Sequence, residues 1–152
     1  MTDYSVRFFA DDDVVRHVAA GLLDRTLPSP EWTHEAHLAA TTCLVLEYPD
    51  FMPERDLPGT IARYNEAVGG VNSDSEGYHE TITQVSLRGV RAHLAEHPDG
   101  LLAERVNALL AGWRGRRDYP LRFYSRDLLF SVAARRGLVE PDLAPLEPLP
   151  DN

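Results

Sequence analysis

Apolar positions along this chain recur at spacings of three and four residues, the period of an amphipathic helix, and no segment sustains the alternation of a strand. Behind Asp11-Asp12-Asp13, which supply an N-cap and negative charge for a first turn, Val14, Val18 and Leu22 join Val15, Ala19 and Leu23 in a broad stripe. That stripe predicts a helix to about Arg25, broken by Leu27-Pro28-Ser29-Pro30. A second helix is expected from between Pro30 and Thr33 to about Tyr48. A third is expected from about Gly59 to Val68, after a Pro53–Pro58 loop and before Gly69-Gly70. The polar, glycine-rich stretch 69–77 leads into a fourth helix from Tyr78 to about Glu96. Pro98 and Gly100 separate it from a fifth, Leu101 to Leu110. Gly112 to Phe123 reads as irregular, and Ser125 caps a sixth helix ending near Gly137. The tail, residues 141–152, carries Leu143, Leu146 and Leu149 between prolines and reads as an extended strip docked on the domain. The expected fold is all-α, an irregular single-domain helical bundle of about six helices over residues 1–152.

Composition narrows the function classes. A chain of 152 residues is long enough for one buried core. No stretch approaches the roughly 20 apolar residues of a membrane span. Asp3 and the later aspartate run fit no signal peptide, so the expected location is cytoplasmic. A net charge of −9 argues against nucleic acid and favours a small neutral or cationic molecule. Arg114-Gly115-Arg116-Arg117 then reads as a solvated loop. All 15 basic residues are arginine. Without lysine there is no Schiff-base chemistry, no pyridoxal-phosphate attachment and no Walker-type phosphate lysine. Cys43 is the single cysteine and reads as a buried, inert thiol, with no partner for a disulfide. A homodimer is the default assembly.

The chemistry concentrates in two strings, Trp32-Thr33-His34-Glu35-Ala36-His37 and Gly77-Tyr78-His79-Glu80-Thr81. At about 100° per residue, His34 and His37 share a side of the second helix with Leu38, Leu44 and Val45. His79 shares a side of the fourth with Ile82, Val90 and Leu94, and Glu80 borders it. Imidazoles on apolar faces point to a site within the bundle, suited to general acid–base catalysis. In this reading His34, His79 and Glu80 are catalytic. His37, Tyr64, Asn65, Asn72, Tyr78 and Thr83 bind the substrate, and the 69–77 loop is a lid. His17, His93 and His97 stand apart. The reaction is expected to be condensation or cyclisation, isomerisation or hydrolysis of a small molecule in specialised bacterial metabolism, with no cofactor.

Two alternatives use the same residues. His34, His37, His79 and Glu80 form a chemically sensible ligand set for one divalent Zn, Fe or Mn ion, although His79 and Glu80 diverge by about 100°. The pocket would equally serve a non-catalytic protein that binds a small ligand or a partner chain.

The pattern Trp-Thr-His-x-x-His-Leu, with Ile61-x-x-Tyr64-Asn65 and Asn72-x-Asp74-x-x-Gly77-Tyr78-His79-Glu80-Thr81-Ile82-Thr83, resembles an uncharacterised family of small bacterial helical proteins. Tyr124-Ser125-Arg126-x-x-Leu129-Phe130-Ser131, Ala134-Arg135-Arg136 and Pro141-Asp142-Leu143 are similar to that family too, so the likeness spans about residues 31 to 146. It implies a helical fold with a shared site and carries no assigned reaction.

Overall fold

The computed structural model describes residues 6–150; Asp3 and the last two residues of the expected tail lie outside the described residues. Within them the chain forms seven α-helices and no strand, in one bundle. No helix is long and apolar enough to cross a membrane.

Helix α1, Asp12–Asp24, starts where Asp11 accepts the Val14 N–H at 3.0 Å and ends on Arg25 in the left-handed region. It packs along α2, His34–Glu47, which α3, α4 and α5 also flank. Buried residues run all round α2, from Glu35 and Ala36 through Leu38 to Cys43 and Leu44, so it is the central helix of the bundle. This matters for the site. A surrounded helix has no single inner face, and residues 60° apart on it can look into different cavities.

Helix α3 is Pro53–Ala67, six residues longer at its start than the expected Gly59. Pro53 occupies the first turn, where its missing N–H costs nothing. Pro58, read from sequence as part of a loop, lies inside the helix. It cannot donate to the carbonyl of Glu54, and the side-chain amide of Gln84 does so instead at 3.2 Å. That substitute donor comes from α4, Glu80–Glu96, a tertiary contact no local pattern reveals.

Helix α5, Leu102–Ala111, lies within one residue of expectation. The irregular stretch after it contains two 3-10 turns, Trp113–Gly115 and Tyr119–Arg122. The expected sixth helix is two short ones, α6 (Arg126–Leu129) and α7 (Val132–Arg136). Ser125 caps the first, accepting from Leu128 N–H, and Ser131 caps the second, accepting from Ala134 N–H. A second capping serine in mid-segment offers the backbone a fresh start, and the break at Phe130 follows.

The tail docks, but by polar pins more than by leucines. Only Leu146 packs into the Tyr119–Tyr124 cluster; Leu143 and Leu149 are 60% and 52% exposed. Glu147 accepts from Arg114 Nη2 at 2.7 Å and from the Tyr119 hydroxyl at 2.5 Å. Arg114 also grips Glu96 at the end of α4, and its side chain is only 10% exposed. The arginine run is therefore not uniformly a solvated loop: Arg114 is a structural tie, whereas Arg116 pairs with Asp118 in the open.

Candidate functional site

A cavity of about 440 Å³ opens between the start of α2, the C-terminal half of α3, the 69–77 loop and the start of α4. Trp32 and His37 come from α2 and the residue pair preceding it, Ile61 and Asn65 from α3, Val68 from the residue that ends α3, and Tyr78, Ile82 and Thr83 from the α4 side. Thr33 caps α2 by accepting the Ala36 N–H at 3.1 Å, which sets the helix start and so the direction of His37. The His37 ring rests against Trp32, centroids 5.4 Å apart, and Trp32 rests in turn on Tyr64.

The half-buried His37 ring lines the cavity and makes no side-chain hydrogen bond to any described residue. Desolvation, aided by the neighbouring His34, pushes its pKa down to about 4. At neutral pH it is therefore an uncharged imidazole, offering one donor and one acceptor to the cavity.

His79 behaves differently. It is the N-cap of α4 rather than a residue inside its first turn: Nδ1 accepts the Ile82 N–H at 3.1 Å. That leaves the proton on Nε2, which donates to the Leu129 carbonyl at 2.7 Å. Both ring nitrogens are spent on folding. Burial holds its pKa below the ordinary value, against the pull of the Leu129 carbonyl. Although it lines the cavity, His79 has no lone pair or proton to spare for catalysis, which corrects the expected role.

Glu80 opens α4 and accepts from the Tyr78 hydroxyl at 2.7 Å and from Gln84 Nε2 at 3.1 Å. Burial and that hydrogen bond together push the Tyr78 phenol well above its ordinary pKa. Tyr78 is thus a neutral phenol on the cavity wall whose proton is committed to Glu80, with its oxygen left as an acceptor.

Two expected substrate contacts are structural. Tyr64 is fully buried and donates to the Leu27 carbonyl at 2.8 Å. Asn72 accepts from Asn65 Nδ2 at 3.1 Å and from the Tyr78 N–H at 2.9 Å, and donates to the Ala62 carbonyl at 2.9 Å. It staples the loop to α3. Gly77 sits at φ +85°, where a Cβ would come 2.2 Å from the Val71 carbonyl oxygen. On its far side the loop is tied to α7 by the Asp74–Arg136 ion pair and by Arg135, which donates to the Gly77 carbonyl at 2.9 Å. The stretch expected as a lid is a wall pinned on both sides.

His34 lies elsewhere. Its Nε2 donates to the Gly115 carbonyl at 2.8 Å, and the residue lines a second cavity that His37 does not line. The expected trio His34, His79 and Glu80 is therefore divided. So is the metal set His34, His37, His79 and Glu80: among the described residues, no three His, Cys, Asp or Glu side chains are arranged to hold an ion. Cys43 is buried as expected, and burial pushes its thiol up to about 11, far from a thiolate at neutral pH.

Of the expected residues, His37, Asn65, Tyr78, His79 and Thr83 meet at the first cavity, with Glu80 one hydrogen bond behind. Trp32 and the apolar lining of Ile61, Val68 and Ile82 were not anticipated as site residues. Trp32 carried a signal, since it sits just before a capping threonine within the string that bears both histidines. No family model, no curated protein and no solved structure matches the chain.

Proposed function

We propose that the protein binds a small, largely apolar molecule bearing a hydrogen-bond donor in the cavity beside His37, and that it moves a proton on that molecule. The observation that carries this reading is His37 itself: a desolvated, neutral imidazole without a protein partner, on the wall of a mostly apolar pocket. Tyr78 adds a second acceptor. The strings behind the resemblance to small bacterial helical proteins supply Trp32, His37, Ile61, Asn65, Gly77 and Tyr78 to this one cavity. The test compares benzyl alcohol and benzylamine with toluene by thermal shift and calorimetry. The donor-bearing compounds should bind about tenfold tighter than toluene, the worth of one hydrogen bond. His37→Phe should erase the difference; equal binding of all three compounds would sink the reading.

Catalysis is favoured over plain binding by a separate observation, the Tyr78–Glu80 hydrogen bond. A ligand proton passes to the Tyr78 oxygen as the phenol proton passes to Glu80, and the reverse step returns it. This suits isomerisation or condensation of a small carbonyl compound. Deuterium incorporation beside the carbonyl of small aromatic ketones that also carry a hydroxyl donor, such as 2-hydroxyacetophenone, in D₂O is the assay. Exchange above the buffer rate that falls in Tyr78→Phe and Glu80→Gln supports the relay, and exchange unchanged in both variants rules it out.

A further inference from the structure

The second cavity, about 560 Å³, lies at the start of α2 beside the 112–118 segment and the first residue of α6. Its lining includes Glu35, which is 4% exposed although it carries a carboxylate. Glu35 Oε1 has no hydrogen-bond partner among the described residues. The nearest cation, Arg117 Nη2, stands 3.6 Å away, outside hydrogen-bond reach. A buried carboxylate oxygen without a donor is uncommon in a folded protein and calls for a ligand that supplies one.

The rest of the lining says what that ligand carries. Arg116 is neutralised by Asp118, at 3.0 and 3.2 Å. Arg126 makes no side-chain hydrogen bond or ion pair to any described residue, and Arg117 is half exposed. A purely anionic ligand would face the Glu35 carboxylate, and a purely cationic one would face two guanidinium groups. A molecule carrying both charges satisfies both. Its ammonium meets Glu35, with His34 Nδ1 as a second acceptor because His34 Nε2 is committed to Gly115. Its carboxylate meets Arg117 and Arg126, in the bidentate geometry that guanidinium favours. Val6 and Leu110 give the cavity an apolar side.

We infer that this cavity is a second binding site, distinct from the His37 pocket, for a free α-amino acid with an apolar side chain. Calorimetry with L-leucine, 4-methylvalerate and isopentylamine tests it on the full chain. L-Leucine should bind, and each analogue lacking one charge should bind at least about tenfold more weakly. Glu35→Gln should weaken leucine by about tenfold. Arg126→Ala, at an exposed position with no described partner, should do the same while leaving the ligand-free Tm unchanged. His37→Phe should leave leucine binding intact, which separates this site from the first. No heat or Tm shift from leucine, methionine or phenylalanine at millimolar concentration would overturn the inference. So would equal affinity for leucine and 4-methylvalerate, because Glu35 would then be serving Arg117 alone.

Discussion

His79 and Leu129 are joined by a 2.7 Å hydrogen bond between elements 50 residues apart in sequence, and the same imidazole caps α4 from its other nitrogen. One ring thus fixes where α4 begins and where α6 docks. Replacing His79 with Ala removes a cap worth about 1 kcal/mol and leaves a buried carbonyl without its donor, about 1–3 kcal/mol more. Urea denaturation should show a loss of about 2–4 kcal/mol in total. His79→Asn keeps an N-cap acceptor and should recover about 1 kcal/mol of it. A loss for His79→Ala no larger than about 0.5 kcal/mol, the scale of an ordinary surface change, would refute the structural role.

The helices were legible wherever caps and period agreed, as at Asp11, Thr33 and Ser125. Pro58 misled because the group that rescues the Glu54 carbonyl, Gln84, is remote in sequence. Helical phase put His34, His37 and His79 on buried faces, but only His79 is buried. His34 and His37 are half-buried on an enclosed helix, and phase could not say which cavity each one faces. His34 and His37 differ by about 60° around α2, and because α2 is enclosed, that angle sends them to separate cavities. Nor does residue type distinguish an imidazole that caps a helix from one left without a partner. His79 and His37 look alike until their hydrogen bonds are counted.

Gly77 and Asn72 should be the most sensitive positions in the pocket wall. Gly77→Ala forces a Cβ to within 2.2 Å of the Val71 carbonyl oxygen at a positive φ. Asn72→Ala deletes the acceptor shared by Asn65 and the Tyr78 N–H. Each should cost about 1–3 kcal/mol. Amide hydrogen exchange should show faster opening across residues 69–78 than in the helices remote from the loop. Unchanged exchange in that segment in both variants would mean the loop is held by its α7 contacts alone.

The tail should come away through Glu147. Burial favours the acid form of this side chain, yet the hydrogen bonds from Arg114 and Tyr119 outweigh it and hold its pKa below the ordinary value. The stability it contributes is therefore complete above about pH 4.5 and falls as the pH drops through its lowered pKa. Glu147→Ala leaves Arg114 with only Glu96 and should cost about 3 kcal/mol. Limited proteolysis of this variant should then cut after residue 140 at protease levels that spare the parent. Glu147→Gln, which keeps an acceptor for Tyr119, should fall between the two. Equal protection of all three chains would show that Leu146 and the 2.7 Å hydrogen bond from the Ser125 N–H to the Asp142 carboxylate suffice to hold the tail.

His37 should give the protein a pH signature below neutrality. Its pKa is near 6.5 when the chain is unfolded and about 4 when folded, because the pocket desolvates the ring. As the pH falls below 6.5 the unfolded chain binds a proton that the folded one refuses, so stability drops until the folded ring also protonates near pH 4. Below that the loss is complete, and across the window it amounts to as much as about 3 kcal/mol. His79 and His93 also have lowered values and steepen the same slope, so the measurement is a difference. Urea unfolding of the parent and His37→Phe at several pH values from 7.5 to 4 isolates the single ring, and the variant should gain on the parent steadily as the pH falls. A bound neutral ligand that hydrogen-bonds the uncharged imidazole should deepen the parent's loss, since protonation would then also expel the ligand. Parallel profiles for the two chains would mean that the ring is solvated. The cavity would then lack the desolvated imidazole on which its proposed chemistry depends.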